Sequence, residues 1–327
     1  MCVASHTKTI KRMNPFQPLV RYLLRAGLPS FLILLSLTFN FPVRAQEAQE
    51  EGDDDVVRVN TELVILNITV VDGAGRYVHG LRSSDFKLFE DGQEQKISFF
   101  SDEQTPFAAA VLLDTSGSMG KRISLARSAA IRFLNGLRIE DVAAVYHFDS
   151  EVEQVQDFSF SRDLADMAFG LRSSGLTVLN DAVLRAAEDL SKRAEKRRAI
   201  LVLSDGADTR SRASLEKAIA TALSANATIF TVDMSSPDHS PVDRMKGAGA
   251  LRAMAGKSGG RYIATPGGNA LREAFAGIVE ELGQQYTIAY RPANRARDGR
   301  FRTIALKLSR PDLNARTRPG YSAPKGK

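Results

Sequence analysis

Cysteine is almost missing: the 327 residues hold one, Cys2. Its scarcity excludes disulfides, thiol catalysis and cysteine metal sites along the rest of the chain. Histidine is nearly as rare, with four residues. His79, His147 and His239 are far apart and lack the spacing of a metal motif, so each reads as surface or satisfied core. No serine–histidine or cysteine nucleophile pair is visible. The glycines of residues 247–260 lack the G-x-G-x-x-G spacing after a strand, which speaks against nucleotide binding. Internal repeats are absent, and so are low-complexity tracts beyond one acidic stretch.

Residues 1–45 hold six basic residues (Lys8, Lys11, Arg12, Arg21, Arg25 and Arg44) and no acidic ones. An apolar run at residues 28–41 follows most of them, then Val43-Arg44-Ala45. Basic region, apolar region and an A-x-A-like site, in that order, describe a secretory signal peptide. Met13 offers an alternative start within the long basic region. The apolar run is shorter than the ~20 residues a spanning helix needs, so membrane attachment is expected only through an uncleaved signal anchor. The expected location is therefore exported: periplasmic, cell-surface or secreted. Setting the six presequence charges aside leaves 38 basic against 38 acidic residues. The basic pI of the whole chain thus gives no reason to expect a nucleic-acid partner.

A hydrophobic content of 43% with 25% charged residues belongs to a globular chain with a sizeable core. Residues 46–55 are an acidic linker and residues 56–104 a β-rich segment of three short strands ended by turn signals such as Asp72-Gly73 and Asp91-Gly92. Residues 105–285 alternate strands and helices, and residues 286–327 return to strands before a basic tail. Helices are expected at 121–137, 180–196, 214–224 and 271–282, and strands at 108–113, 142–148, 199–203 and 228–232. This pattern predicts an α/β fold with a doubly wound, mostly parallel sheet covered on both faces. Three strands alone make a poor core. The two β-rich ends are therefore expected to pack together as a small flanking β-sandwich. Two glycosylation sequons, at Asn67 and Asn226, read as strand positions and are discounted.

Three polar clusters fall at strand ends or just before a helix: Asp114-Thr115-Ser116-Gly117-Ser118, Gly175-Leu176-Thr177 with Asn180-Asp181, and Ser204-Asp205-Gly206-Ala207-Asp208. Parallel strands bring such clusters to one edge of a sheet, where sites form in this fold class. Carboxylates and hydroxyls are hard oxygen donors suited to Mg²⁺, Ca²⁺ or Mn²⁺ rather than zinc or copper. Asp114, Ser116 and Ser118 alternate along their loop, so three side chains can converge. Each cluster also has a plainer reading: a helix cap at Ser118, a capping hydroxyl at Thr177, a turn at Asp205-Gly206. Asp149 reads as a loop residue near the same edge, and Asp181 as a first-turn helix acid.

The run Asp114-x-Ser116-x-Ser118 after an apolar strand resembles the metal-ion-dependent adhesion site of the von Willebrand factor type A family. The resemblance extends to Thr177 in G-L-T-V-L-N-D-A and Asp205 in L-S-D-G, and covers about residues 105–285. The flanks, G-L-R-S-S-D-F-K-L-F-E-D-G and Y-R-P with D-G-R-F-R-T, resemble secreted bacterial proteins carrying this domain. The resemblance implies a Mg²⁺ (or Mn²⁺ or Ca²⁺) site. Ser116, Ser118 and Thr177 would be direct ligands, with Asp114 and Asp205 binding directly or through water. It also implies a protein or peptide partner that supplies a carboxylate, and, in some relatives, coupling to a shift of the helix after Asn269. The expected function is therefore metal-dependent binding or adhesion, not catalysis. A metal-assisted hydrolase is the alternative, although an aspartyl-phosphate enzyme of the haloacid dehalogenase kind needs a second aspartate where Ser116 stands. A scaffold role in a periplasmic or surface assembly is the third reading.

Overall fold

The computed structural model describes residues 63–102, 105–162, 175–264 and 268–326. The expected presequence 1–45 and linker 46–55 lie outside the described residues. The order begins β1 (Val64–Val71), β2 (Phe86–Glu90), β3 (Gln93–Gln95), β4 (Ile97–Ser101) and β5 (Phe107–Asp114). It continues with α1 (Ile123–Gly136), β6 (Val142–Phe148), β7 (Val152–Ser159), α2 (Leu179–Ser191) and β8 (Arg197–Ser204). Then come α3 (Leu215–Ser224), β9 (Ala227–Asp233), α4 (Pro241–Ser258), β10 (Tyr262–Ala264) and α5 (Gly268–Gly283). The strands β11 (Tyr286–Tyr290), β12 (Phe301–Leu308), β13 (Asn314–Arg316) and β14 (Gly320–Ser322) close the described chain.

The central sheet has the order β10-β9-β8-β5-β6-β7. Its strands run parallel except β7, which pairs antiparallel with β6 at one edge. Every residue of β5 is buried, because helices cover both faces. The two-residue strand period divides them: Ala109, Val111 and Leu113 join α1 and α5, and Ala108, Ala110 and Leu112 join α2, α3 and α4. On the first face Phe133 of α1 meets Phe275 of α5 edge-on, ring centroids 6.4 Å apart. The doubly wound α/β class expected from alternation is the one observed. The chain winds from β5 to β6 on one side and later to β8 on the other, so the sheet switches direction beside β5.

The chain's two β-rich segments pair with each other. One sheet has the order β13-β1-β11-β4 and the other β14-β12-β2-β3. In each, strands from before the central region hydrogen-bond to strands from after it, β1 with β11 and β2 with β12, both antiparallel. Leu66 and Ile68 of β1, Leu88 of β2, Ile288 of β11 and Ile304 of β12 share one core, with Phe86, Phe100 and Tyr286 clustered at ring distances of 5.5–5.8 Å. Across that core Tyr290 and Tyr321 both donate to Glu90 Oε2, at 2.6 and 2.9 Å.

Several elements depart from expectation. Helix α2 stops at Ser191, not 196. Arg198 Nη2 donates to the Arg193 carbonyl at 2.6 Å and Arg193 is ion-paired with Glu195, which folds the chain back so that Arg197 enters β8 opposite Phe107. Helix α4 was not foreseen: its inward face is spaced as a helix, but of Gly247, Ala248, Leu251, Met254, Ala255 and Ser258 only Leu251 and Met254 are large and apolar. Asn226 has φ 53, so the asparagine of the second sequon stands in a left-handed turn after α3, and only its Ala227 and Thr228 lie on a strand, β9. Among the described residues no helix is long and apolar enough to cross a membrane.

Candidate functional site

β5 and β8 are adjacent parallel strands, so Asp114 and Ser204 reach the same edge of the sheet. That edge, at the point where the winding reverses, is where an open α/β sheet forms a crevice. Asp114 is 1% exposed. Its Oδ1 accepts the Ser116 amide at 2.9 Å and its Oδ2 the Ser204 hydroxyl at 2.5 Å. Burial pushes the Asp114 carboxyl up to about 6, against the pull of hydrogen bonds from Ser116 and Ser204, and the nearby Asp205 charge adds to the rise.

After Asp114 the chain makes a short 3-10 turn at Gly117–Arg122. Met119 donates its amide to the Ser116 carbonyl at 3.0 Å and buries its side chain beside Leu113 and α1. That peg leaves Ser118 at the surface. The Ser116 and Ser118 hydroxyls are 3.1 Å apart, and neither caps the following turn. The plain capping reading of this cluster therefore does not describe it.

Thr177 is 3% exposed. Its amide donates to Thr209 Oγ1 at 2.9 Å, and its carbonyl accepts the amides of Thr209 and Arg210, each at 3.0 Å. The second cluster is thereby bound to the loop after β8. It also touches the first, since a Cβ on Gly117 would lie 3.5 Å from the Gly175 carbonyl. Gly175 is required where it stands, with φ +71 and Ser150 Oγ only 2.2 Å from any added Cβ. The start of α2 is capped by others: Asp208 accepts the Asn180 amide at 2.8 Å, and Ser211 Oγ the Asp181 amide at 3.1 Å. Asp181, expected as a first-turn acid, accepts the amides of Arg212 and Ala213 at 3.0 and 2.8 Å.

Asp205 is 5% exposed, and its Oδ1 accepts the Ala207 amide at 3.0 Å. Gly206 follows with φ +80, and its backbone presses on α4: a Cβ there would meet the Gly247 carbonyl at 2.2 Å, and one on Gly247 the Asp205 carbonyl at 2.1 Å. Asp149 belongs to its own loop, accepting the amides of Ser150 and Glu151.

The structure thus gathers the loops carrying Asp114, Ser116, Ser118, Thr177 and Asp205 at one sheet edge. Residues that sequence reasoning passed over complete the surroundings. Ser204 binds Asp114, and His239 Nδ1 approaches Asp205 Oδ2 at 3.7 Å. His147 bridges Thr115 Oγ1 at 3.4 Å and Glu153 at 3.1 Å. Among the described residues no three His, Cys, Asp or Glu side chains form a metal-binding group; any cation here relies on hydroxyls.

Residues 109–207 match the family model of the von Willebrand factor type A domain. No curated protein matches the chain. A von Willebrand factor type A protein from Catenulispora acidiphila is 13% identical over 82% of this chain and 75% of its own, with a TM-score of 0.46. The corresponding domain of the type V pili tip protein Mfa5 from Porphyromonas gingivalis is 13% identical over 54% of this chain and 95% of its own, TM-score 0.46. The PilB minor pilin from Streptococcus sanguinis is 15% identical over 56% of this chain, TM-score 0.43, and the match spans 63% of the pilin's length.

Proposed function

We propose that this chain, whose residues 109–207 match the von Willebrand factor type A family model, is an exported binding protein that holds an acidic group of a protein partner through a divalent cation. The cation is Mg²⁺, with Mn²⁺ and Ca²⁺ as alternatives. Ser116, Ser118 and Thr177 would ligate it, and Asp114 and Asp205 would bind it directly or through water.

One observation carries this reading. Two buried carboxylates, Asp114 and Asp205, share an edge with the three hydroxyls, and among the described residues neither forms an ion pair with lysine or arginine. Buried charge without compensation is costly, and a divalent cation supplies the compensation. Oxygen donors alone, only two of them anionic, fit a hard cation. When bound, that cation offers a Lewis-acid anchor for a carboxylate. The exposed Ser118 carries the donor set to the surface, where a partner can dock.

Isothermal titration of Mg²⁺, Mn²⁺ and Ca²⁺ into the purified chain tests this, beside the Ser116→Ala/Ser118→Ala variant. Saturable binding in the wild type, lost in a folded variant, is expected. Folded wild type that takes up no cation, even with acidic peptides present, overturns the reading. Phosphate-ester turnover lost with Asp114→Ala would replace it with a hydrolase.

A further inference from the structure

The two buried carboxylates are approached from the same directions, one by a hydrogen bond on each oxygen and the other by a hydrogen bond on one oxygen and an imidazole beside the second. Asp114 has one oxygen on the amide two residues ahead, Ser116, and the other on Ser204, which ends the neighbouring strand β8. Asp205 has one oxygen on the amide two residues ahead, Ala207. Its other oxygen faces His239 Nδ1 at 3.7 Å, and His239 follows β9, the strand next to β8. Each carboxylate is therefore reached by a side chain from one strand further along the sheet.

His239 is itself fixed. Its amide donates to the Ser236 carbonyl at 3.1 Å. The next residue, Ser240, caps α4 by accepting the Asp243 amide at 3.1 Å, with Pro241 opening the helix. The close backbone contact of Gly247 with Asp205 holds α4 against the same loop. The imidazole is 25% exposed, so the ring is enclosed on most sides.

We propose that His239 is a positioning residue that orients the Asp205 carboxylate and thereby sets which divalent cation the site prefers. This rests on the cation-binding reading above. With its proton on Nδ1, the imidazole has a donor aimed at this carboxylate. A separation of 3.7 Å is longer than a hydrogen bond, so this role requires the pair to close to hydrogen-bond distance when the cation binds, as catalytic contacts do on ligand binding. Orientation matters unequally between ions. Mg²⁺ demands a near-ideal octahedron at about 2.0–2.1 Å, whereas Ca²⁺ accepts a flexible shell of about 6–8 oxygens. Loosening Asp205 therefore penalises Mg²⁺ more.

The test is calorimetric titration of Mg²⁺ and of Ca²⁺ into the full chain, its His239→Ala variant and its His239→Gln variant, with thermal melts of each in chelator. His239→Ala is expected to weaken Mg²⁺ by about tenfold or more, in the range seen when such supporting contacts are lost, and Ca²⁺ by much less. The Gln amide can donate to Asp205, so His239→Gln recovers part of the Mg²⁺ preference. An unchanged Mg²⁺/Ca²⁺ ratio overturns the proposal, as does an equal loss for both ions alongside a lower Tm; His239 then only packs its loop. A wild type that binds neither ion brings down the cation-binding reading as well, so the two failures are told apart.

Discussion

The two ends of the central sheet bury charge in opposite ways. At the end where β5 and β6 begin, Asp141 is fully buried and fully matched. It accepts the amides of Phe107 and Arg138 at 3.1 and 3.0 Å and forms an ion pair with Arg138 at 2.8 Å. Arg197, buried beside it, donates to carbonyl oxygens of Thr105 and Leu282, and burial lowers its guanidinium to about 10. At the other end, Asp114 and Asp205 are also buried but, among the described residues, meet only hydroxyls, amides and one imidazole. A buried charge with its counter-charge on the same chain belongs to the fold. One without it is open to an external cation.

Substitutions at the two ends sharpen or break this contrast. The largest effect is expected from Asp141→Ala, which breaks the buried side of the Arg138 ion pair and leaves the amides of Phe107 and Arg138 without their acceptor. Urea denaturation should show a loss of about 3–5 kcal/mol, while cation affinity of the molecules that remain folded is unchanged. Gly247→Ala comes next. Its Cβ would lie 2.1 Å from the Asp205 carbonyl, so α4 must shift and carry the loop with it. A loss of about 1–3 kcal/mol is expected, together with weaker cation uptake by calorimetry. The smallest effect on stability is expected from Asp114→Asn. Because burial raises this carboxyl in the folded chain, ionising it costs folding energy as pH rises toward and through about 6. In chelator at neutral pH, the variant should melt no lower than the wild type, while losing cation uptake. If Asp114→Asn instead destabilises as strongly as Asp141→Ala, the two ends are alike and the site is structural.

Much of this was legible in the residues. Period and length gave the alternating centre, because β5 is apolar up to Asp114 and α1 carries Ile123, Ala126, Ala130, Phe133 and Leu134 at helical spacing. The clusters around Asp114, Thr177 and Asp205 announced themselves by their positions relative to strands and helices. Other parts were illegible for physical reasons. Helix α4 buries mostly glycine, alanine and serine around Leu251 and Met254, which leaves a faint hydrophobic period, although Ser240-Pro241 with Asp243 was a readable start signal. Strand β7 lies at a sheet edge, partly buried along most of its length with no period-two alternation to mark it. Ser204 and His239 acquire their partners only when β8, β5 and β9 lie side by side, and no local pattern encodes that neighbourhood.

The pairing of β4 with β11 places the entry and exit of the central region on adjacent strands, which lie about 5 Å apart in a sheet. The outermost described strands, β1 and β14, are both laced into the sandwich. Tension applied along the chain from its two sides is therefore taken up as shear across those antiparallel ladders and does not run through β5 or β8.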